Sequence, residues 1–224
     1  EDCSRNWKEV YRESRSNTRV VSIAFGHTVP YRVYIAESNG DLLQSYDSSD
    51  SWNVKNRFKT RLLHVITHPM DSNLIYVISK NNGIFRSNDS GNTWVGLGNK
   101  LSAFSGAIEY RRHIIDPKNP NKIYWSSTYG ILTSNTSGDS WQNIDLLTPP
   151  GSADIYAFAV NPDNEDEIYY TATINDRSTF YRSMDGGKNW VTKKLPSGQI
   201  PTVLRVHPDH ADWIYLGFTI PPKK

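Results

Sequence analysis

The sequence predicts an all-β chain, a β-propeller of about five four-stranded blades, and three observations carry that prediction. The phrase SNDSGNTW at Ser87–Trp94 is echoed as SNTSGDSW at Ser134–Trp141 and SMDGGKNW at Ser183–Trp190, with a weaker copy, SYDSSDSW, at Ser45–Trp52. A Val-Tyr or Ile-Tyr pair returns at Val33, Ile75, Ile123, Ile168 and Ile214. A proline stands six residues before the last four pairs, at Pro69, Pro117, Pro162 and Pro208, with His27 in the first slot. From Trp52 through Trp94 and Trp141 to Trp190 the interval is 42–49 residues, the length of one propeller blade.

Each repeat reads as four strands. In the second, LLHVITH is strand A, LIYVISK strand B, GIFRSN strand C and TWVGL strand D, separated by the turns PMDSN, NNG and the phrase itself. Such a sheet has two apolar faces and needs a neighbour on each side. The blades are expected at about 20–54, 62–97, 110–144 and 155–193. A fifth, within 202–224, shows strands A and B in TVLRVHP and DWIYLGF. The segment NWKEVYRE, within 4–14, reads as its outer strand. Pairing of the two ends would then close one domain, 1–224, with 219–224 as a source of strand C. Alternatively the chain continues and the propeller is larger.

Composition agrees. The chain has 224 residues, 37% hydrophobic, with 13 Tyr and 7 Trp, a balance suited to strands and turns. No apolar run is long enough to span a bilayer as a helix. Cys3 is the sole cysteine, so no internal disulfide forms. Its position hints at a lipid anchor, although a bacterial lipoprotein begins with the cysteine itself. The start at Glu1 and the tail PPKK suggest a processed or excised chain. A secreted, periplasmic or otherwise extracytoplasmic location is expected.

The repeated phrase resembles the Asp-box, or bacterial neuraminidase repeat, S-x-D-x-G-x-T-W. Ser87–Trp94 matches every defined position; Ser183–Trp190 departs at the Thr; Ser134–Trp141 has Thr136 for the Asp; Ser45–Trp52 has Ser49 for the Gly. The physical reading is structural. Gly91, Gly138 and Gly187 supply positive φ for a tight turn. Asp47, Asp89 and Asp185 accept backbone N–H groups across it. Trp52, Trp94, Trp141 and Trp190 bury rings between blades. The resemblance implies kinship with sialidases, other glycoside hydrolases, sortilin-type receptors and photosystem II assembly factors. It covers the repeat architecture and no functional motif.

Chemistry is harder to find. The Arg-Ile-Pro opening of the sialidases is absent. A glycoside hydrolase needs two facing carboxylates. Glu37, Asp41, Glu109 and Asp154 fall on the face of the D→A and B→C connections, and no spacing singles out a pair. His64 and His68 are four apart on a strand, roughly 13 Å apart, which suits a core or turn role better than zinc. His207 and His210 read alike. The two sequons, at Asn88 and Asn135, lie inside boxes rich in Asn and Ser. No cofactor and no metal are expected.

Charge is near neutral overall, at +2, yet sorted by face. The D strands and D→A links carry Lys8, Arg12, Arg57, Lys59, Arg61, Arg111 and Arg112, whereas the A→B and box turns are acidic. Arg57, Lys59, Arg61, Arg111 and Arg112, with Phe58 and Tyr110 beside them, form the candidate binding face. Nucleic acid would favour a more basic domain. The expectation is a non-catalytic propeller holding a protein partner or an acidic glycan. The alternatives are a glycoside hydrolase using carboxylates of the same face, and a piece of a sortilin-like receptor ectodomain.

Overall fold

The computed structural model describes residues 6–27 and 31–219. Cys3 and the expected strand-C residues from 220 onward lie outside them. The chain forms two compact units, residues 1–96 and 97–224.

Unit 1 holds two four-stranded antiparallel sheets. The first is β1 (Val20–Phe25), β2 (Val33–Glu37), β3 (Asp41–Ser45) and β4 (Asn53–Arg57); the second is β5 (Leu62–Thr67), β6 (Ile75–Ser79), β7 (Gly83–Ser87) and β8 (Val95–Gly96). The strands of each pair in chain order. The middle strands β2, β3 and β6 are almost wholly buried, whereas β4 and β8 are largely exposed. Sequence accounts for this. VYIAE and IYVIS place β-branched and aromatic side chains on both faces, while NVKNR is polar. Tyr34, Leu42, Leu62, Val65 and Ile75 share one core between the two sheets, with Phe58 at its edge.

Unit 2 repeats the plan. A short 3-10 helix, Gly98–Leu101, precedes β9 (Tyr110–Ile115), β10 (Ile123–Ser127), β11 (Ile131–Ser134) and β12 (Gln142–Asn143). The next sheet is β13 (Asp154–Asn161), β14 (Asn164–Ile174), β15 (Arg177–Ser183) and β16 (Val191–Lys194). Among the described residues β17 (Ile200–Val206) and β18 (Ile214–Thr219) then pair only with each other. Tyr124, Ile131, Phe158 and Tyr170 join the first two sheets, and Ala157, Tyr169 and Leu204 join the second and third. The repeated tyrosine is covered differently on the last sheet. Tyr34, Tyr76, Tyr124 and Tyr169 are at most 3% exposed, but Tyr215 on β18 is 50% exposed.

The N-terminal segment departs from expectation. No strand forms among residues 6–19. The segment instead packs on the first box turn as a D strand packs on the next one. Lys8 reaches Asp50 at 3.4 Å, and Tyr11 meets Trp52 edge-on at 5.5 Å. In the second sheet Lys55 donates to Asn92 at 2.6 Å, and Phe58 meets Trp94 edge-on at 5.1 Å. The side chains of a D strand are therefore in place without its ladder.

Candidate functional site

The four box turns are built alike. In the second, Ser87 Oγ donates to Asp89 Oδ1 at 2.7 Å and accepts from Gly91 N–H at 2.7 Å. Asp89 also accepts the Thr93 N–H at 2.8 Å and the Thr93 hydroxyl at 2.7 Å. Backbone donation by Thr93 leads the effects that hold the Asp89 carboxyl down at about 2. Asp185 is held at about 2 by Asn189, and Asp47 at about 2 by Ser51. Thr136 does the same work uncharged, accepting the Ser140 N–H at 2.9 Å. Both carboxylate oxygens of Asp47, Asp89 and Asp185 are engaged in folding the turn.

Positive φ is wider here than glycine alone predicts. Ser49 takes φ 75° where the other boxes have glycine, and Ser48, Ser90 and Ser137 are also left-handed. The return for Ser90 and Ser137 is visible: their hydroxyls donate to Asn73 Oδ1 at 2.8 Å and Asn121 Oδ1 at 2.9 Å, tying each box to its A→B turn. Trp141 is buried, whereas Trp52, Trp94 and Trp190 are half-buried and donate to main-chain carbonyls.

Of the four carboxylates on the opposite face, two are joined. Arg15, from the N-terminal segment, donates to Glu37 Oε2 at 2.6 Å and to Asp41 Oδ2 at 2.9 Å. Glu13 clasps the same guanidinium at 2.7 and 2.8 Å. Tyr11 Oη donates to Glu37 Oε1 at 2.5 Å. Burial, then the neighbouring Glu13 carboxylate, push Glu37 up to about 7. Burial also pushes Asp41 up, but hydrogen bonds from Arg15 and Asn39 outweigh it and leave Asp41 below its ordinary value. Glu37 is fully buried, so this pair is closed to a substrate in the described arrangement. Glu109 is exposed and accepts from Thr128, and Asp154 pairs with Arg111 at 3.3 Å.

The candidate basic face is interleaved with acid. Arg57 is exposed and 3.6 Å from Asp41. Lys59 and Arg61 are exposed. Arg112 is half-buried and donates to the Thr202 carbonyl at 2.8 Å. Phe58 is a core ring, packed on Phe85 at 4.9 Å and on Trp94. Tyr110 is half-buried, with its hydroxyl 2.7 Å from His113 Nδ1. The histidines fill turn roles: His68 Nδ1 accepts the Met70 N–H at 3.1 Å, and His207 Nδ1 accepts from Asp209 and His210. Sequence spacing placed Arg15 among the basic residues but missed that it and Tyr11 reach Glu37 and Asp41, more than 20 residues away on another element, and that Glu13 joins the cluster through Arg15.

A shallow groove runs along unit 1 between β4 and the β7–β8 edge. Asn56, Arg57, Lys59, Asn82, Phe85 and Trp94 line it. Phe85 and Trp94 are half-buried, so ring surface faces the groove, flanked by exposed amide and cationic donors. Aromatic walls with a few placed polar groups are the usual make-up of a ligand cleft.

No protein-family model matches the chain. A xyloglucanase of Paenibacillus sp is 26% identical over 204 residues, covering 76% of this chain and 19% of the relative. A xyloglucanase of Acetivibrio thermocellus is 26% identical over 204 residues, covering 81% and 20%. The chain thus spans about a fifth of the length of these relatives. Among solved structures, an ancestral GH74 enzyme superposes with TM-score 0.68 at 17% identity, over 86% of this chain and 28% of that one. YCF48 from Cyanidioschyzon merolae superposes with TM-score 0.56 at 17% identity, over 92% and 68%. These neighbours are β-propellers, and the likeness establishes the fold: all-β, propeller blades, about five. No helix among the described residues is long and apolar enough to cross a membrane.

Proposed function

We propose that the chain is a polysaccharide-holding propeller module, acting outside the cytoplasm on a xyloglucan-type glucan. The groove of unit 1 carries the reading. Its half-buried Phe85 and Trp94 rings offer surface to pyranose faces, and Asn56, Asn82, Arg57 and Lys59 offer donors to sugar hydroxyls. The xyloglucanase relatives supply the substrate class. Binding is favoured over cleavage because the joined carboxylates, Glu37 and Asp41, are sealed beneath Arg15 and Tyr11.

Hydrolysis is the second reading, and one observation favours it. Glu37 is raised to about 7 while nearby Asp41 is lowered, the split expected of an acid and a base at one site. Lifting of the N-terminal segment would have to expose them. Affinity electrophoresis in xyloglucan, run beside a reducing-sugar assay, tests both. Retardation without sugar release supports holding. Sugar release abolished by Glu37→Gln supports cleavage. Absence of both retardation and release overturns the polysaccharide reading.

A further inference from the structure

One hairpin of unit 2 breaks the repeat. The β14–β15 ladder runs through seven paired residues, from Ile168–Ser183 to Ile174–Arg177, whereas β6–β7 has five and β10–β11 four. In repeat proteins such added length maps to one face, often the binding face. Asn175 and Asp176 close the extension at φ 48° and 62°, the two-residue turn that suits the twist of a hairpin. The extension is therefore a firm ladder. One side of it forms an open groove of about 510 Å³, lined by Ala172, Ile174, Asn175, Arg177, Thr179 and Tyr181. That volume lies within the range of small-ligand clefts, roughly 300–1,000 Å³.

The groove holds the same place in its blade as the unit 1 groove holds in its own. Phe85 and Tyr181 each lie two residues before the serine that opens a box, Ser87 and Ser183, and each lines its groove. Tyr181 is half-buried and stacks on the fully buried Tyr170, with ring centroids 4.4 Å apart and planes 5° apart, so its ring is fixed. Ala172 pairs with Thr179 and Ile174 with Arg177 across the ladder, so these side chains share the Tyr181 face. One ring and two aliphatic side chains make an apolar stripe, with an amide, a guanidinium and two hydroxyls along it. Among the described residues the side chains of Asn175, Arg177, Thr179 and Tyr181 make no hydrogen bond or ion pair. On the opposite face Thr173 and Ser178 satisfy each other at 2.8 Å. The added length thus offers its polar groups on one face only, and no carboxylate lines the groove.

We infer that the β14–β15 hairpin is a second holding site for a neutral glucan chain. The Tyr181 ring, Ala172 and Ile174 lie against pyranose faces, and Asn175, Arg177 and Thr179 donate to sugar hydroxyls. The inference takes its ligand class from the glucan reading proposed for unit 1 and its place from the hairpin. The two sites share no residue, so the chain takes up two oligosaccharides and either site can fail alone.

The test is hydrogen exchange of the full chain with and without xyloglucan heptasaccharide, on wild type, Arg177→Ala and Asn82→Ala. Both substituted side chains are exposed, and melting temperatures equal to that of wild type verify the folds. With ligand at about ten times Kd, amides of 168–183 that exchange only from the free state should slow about tenfold in wild type. The slowing should persist in Asn82→Ala and shrink by about threefold or more in Arg177→Ala at the same ligand concentration. Slowing confined to residues 53–60 and 82–96 would overturn the second site and leave the unit 1 groove standing. Slowing confined to 168–183 would support the second site and remove the unit 1 groove. Slowing nowhere would overturn both. Slowing at 168–183 that Arg177→Ala leaves unchanged would overturn the assignment of this groove.

Discussion

Two clusters in this chain use the same three residue types and reach opposite electrostatic states. In unit 1, Glu37 receives Tyr11 and Arg15. In unit 2, Glu167 receives Tyr169, Arg182 at 2.6 Å and Asn161 at 2.6 Å. Both glutamates are buried. Burial pushes both up. At Glu167 the hydrogen bonds from Tyr169, Asn161 and Arg182 outweigh it, and the carboxyl lies below its ordinary value. At Glu37 the Glu13 carboxylate adds to burial, and the carboxyl rises to about 7. The fourth neighbour decides, an amide donor in one case and a second carboxylate in the other. Residue identity alone does not assign a role to a Tyr–Glu–Arg set.

The largest expected effect breaks the comparison at its arginines. Arg15→Ala leaves Glu13, Glu37 and Asp41 together without their shared cation. Arg182→Ala leaves Glu167 with two donors and costs about 1 kcal/mol, since Arg182 is partly exposed. Urea unfolding should show the greater loss for Arg15→Ala, and hydrogen exchange should quicken across residues 6–18. Equal losses would mean that the N-terminal segment is held by other contacts.

The glutamates themselves should respond with opposite signs. At pH 8, Glu167→Gln gives up charge-assisted bonds and costs roughly 2 kcal/mol. Glu37→Gln should instead raise the melting temperature at pH 8. A raised folded pKa gives stability that is full below the unfolded value, roughly 4.3, and is lost as pH rises through about 7. The advantage of Glu37→Gln should therefore vanish near pH 4. The cost of Glu167→Gln should shrink as pH falls below roughly 4.3. Like-signed effects at pH 8 would remove the distinction between the clusters.

A smaller contrast separates the boxes. Asp89→Ala should lower the melting temperature more than Thr136→Ala at pH 7. Because Asp89 is held at about 2, its contribution is present above the unfolded carboxylate range and fades as pH falls from roughly 4 towards 2. The Thr136 hydroxyl carries no ionisable proton in that range, so Thr136→Ala should not show this fading. Melting curves at pH 7 and pH 2.5 distinguish them.

The blades were legible because their signal is local. The Ile-Tyr pairs fall on β2, β6, β10, β14 and β18, and the box phrases fall on the turns that follow β3, β7, β11 and β15. Period and turn chemistry are written within a few residues, so the register follows. The site was less legible because its contacts are not. Glu37 and Asp41 are readable as carboxylates of one face, but the Arg15 that joins them comes from a segment with no periodic pattern. Phe58 shows the same limit from the other side. Its place among Arg57 and Lys59 suggests a contact surface, yet just past the end of β4 its ring turns into the core beside Phe85. The arginines sort by face in sequence, but only packing shows that Arg111 has Asp154 and that Arg112 donates to the Thr202 carbonyl.

The central claim is that the groove of unit 1 holds a neutral glucan. Its most direct test is calorimetric titration of the intact chain with xyloglucan oligosaccharide, beside Asn82→Ala and Arg57→Ala, both changes at exposed positions. The account predicts saturable binding by the wild type, weakened in each variant by a few-fold to tenfold, with melting temperatures unchanged. Absence of binding by the wild type, or binding as tight as wild type by both variants, would contradict it.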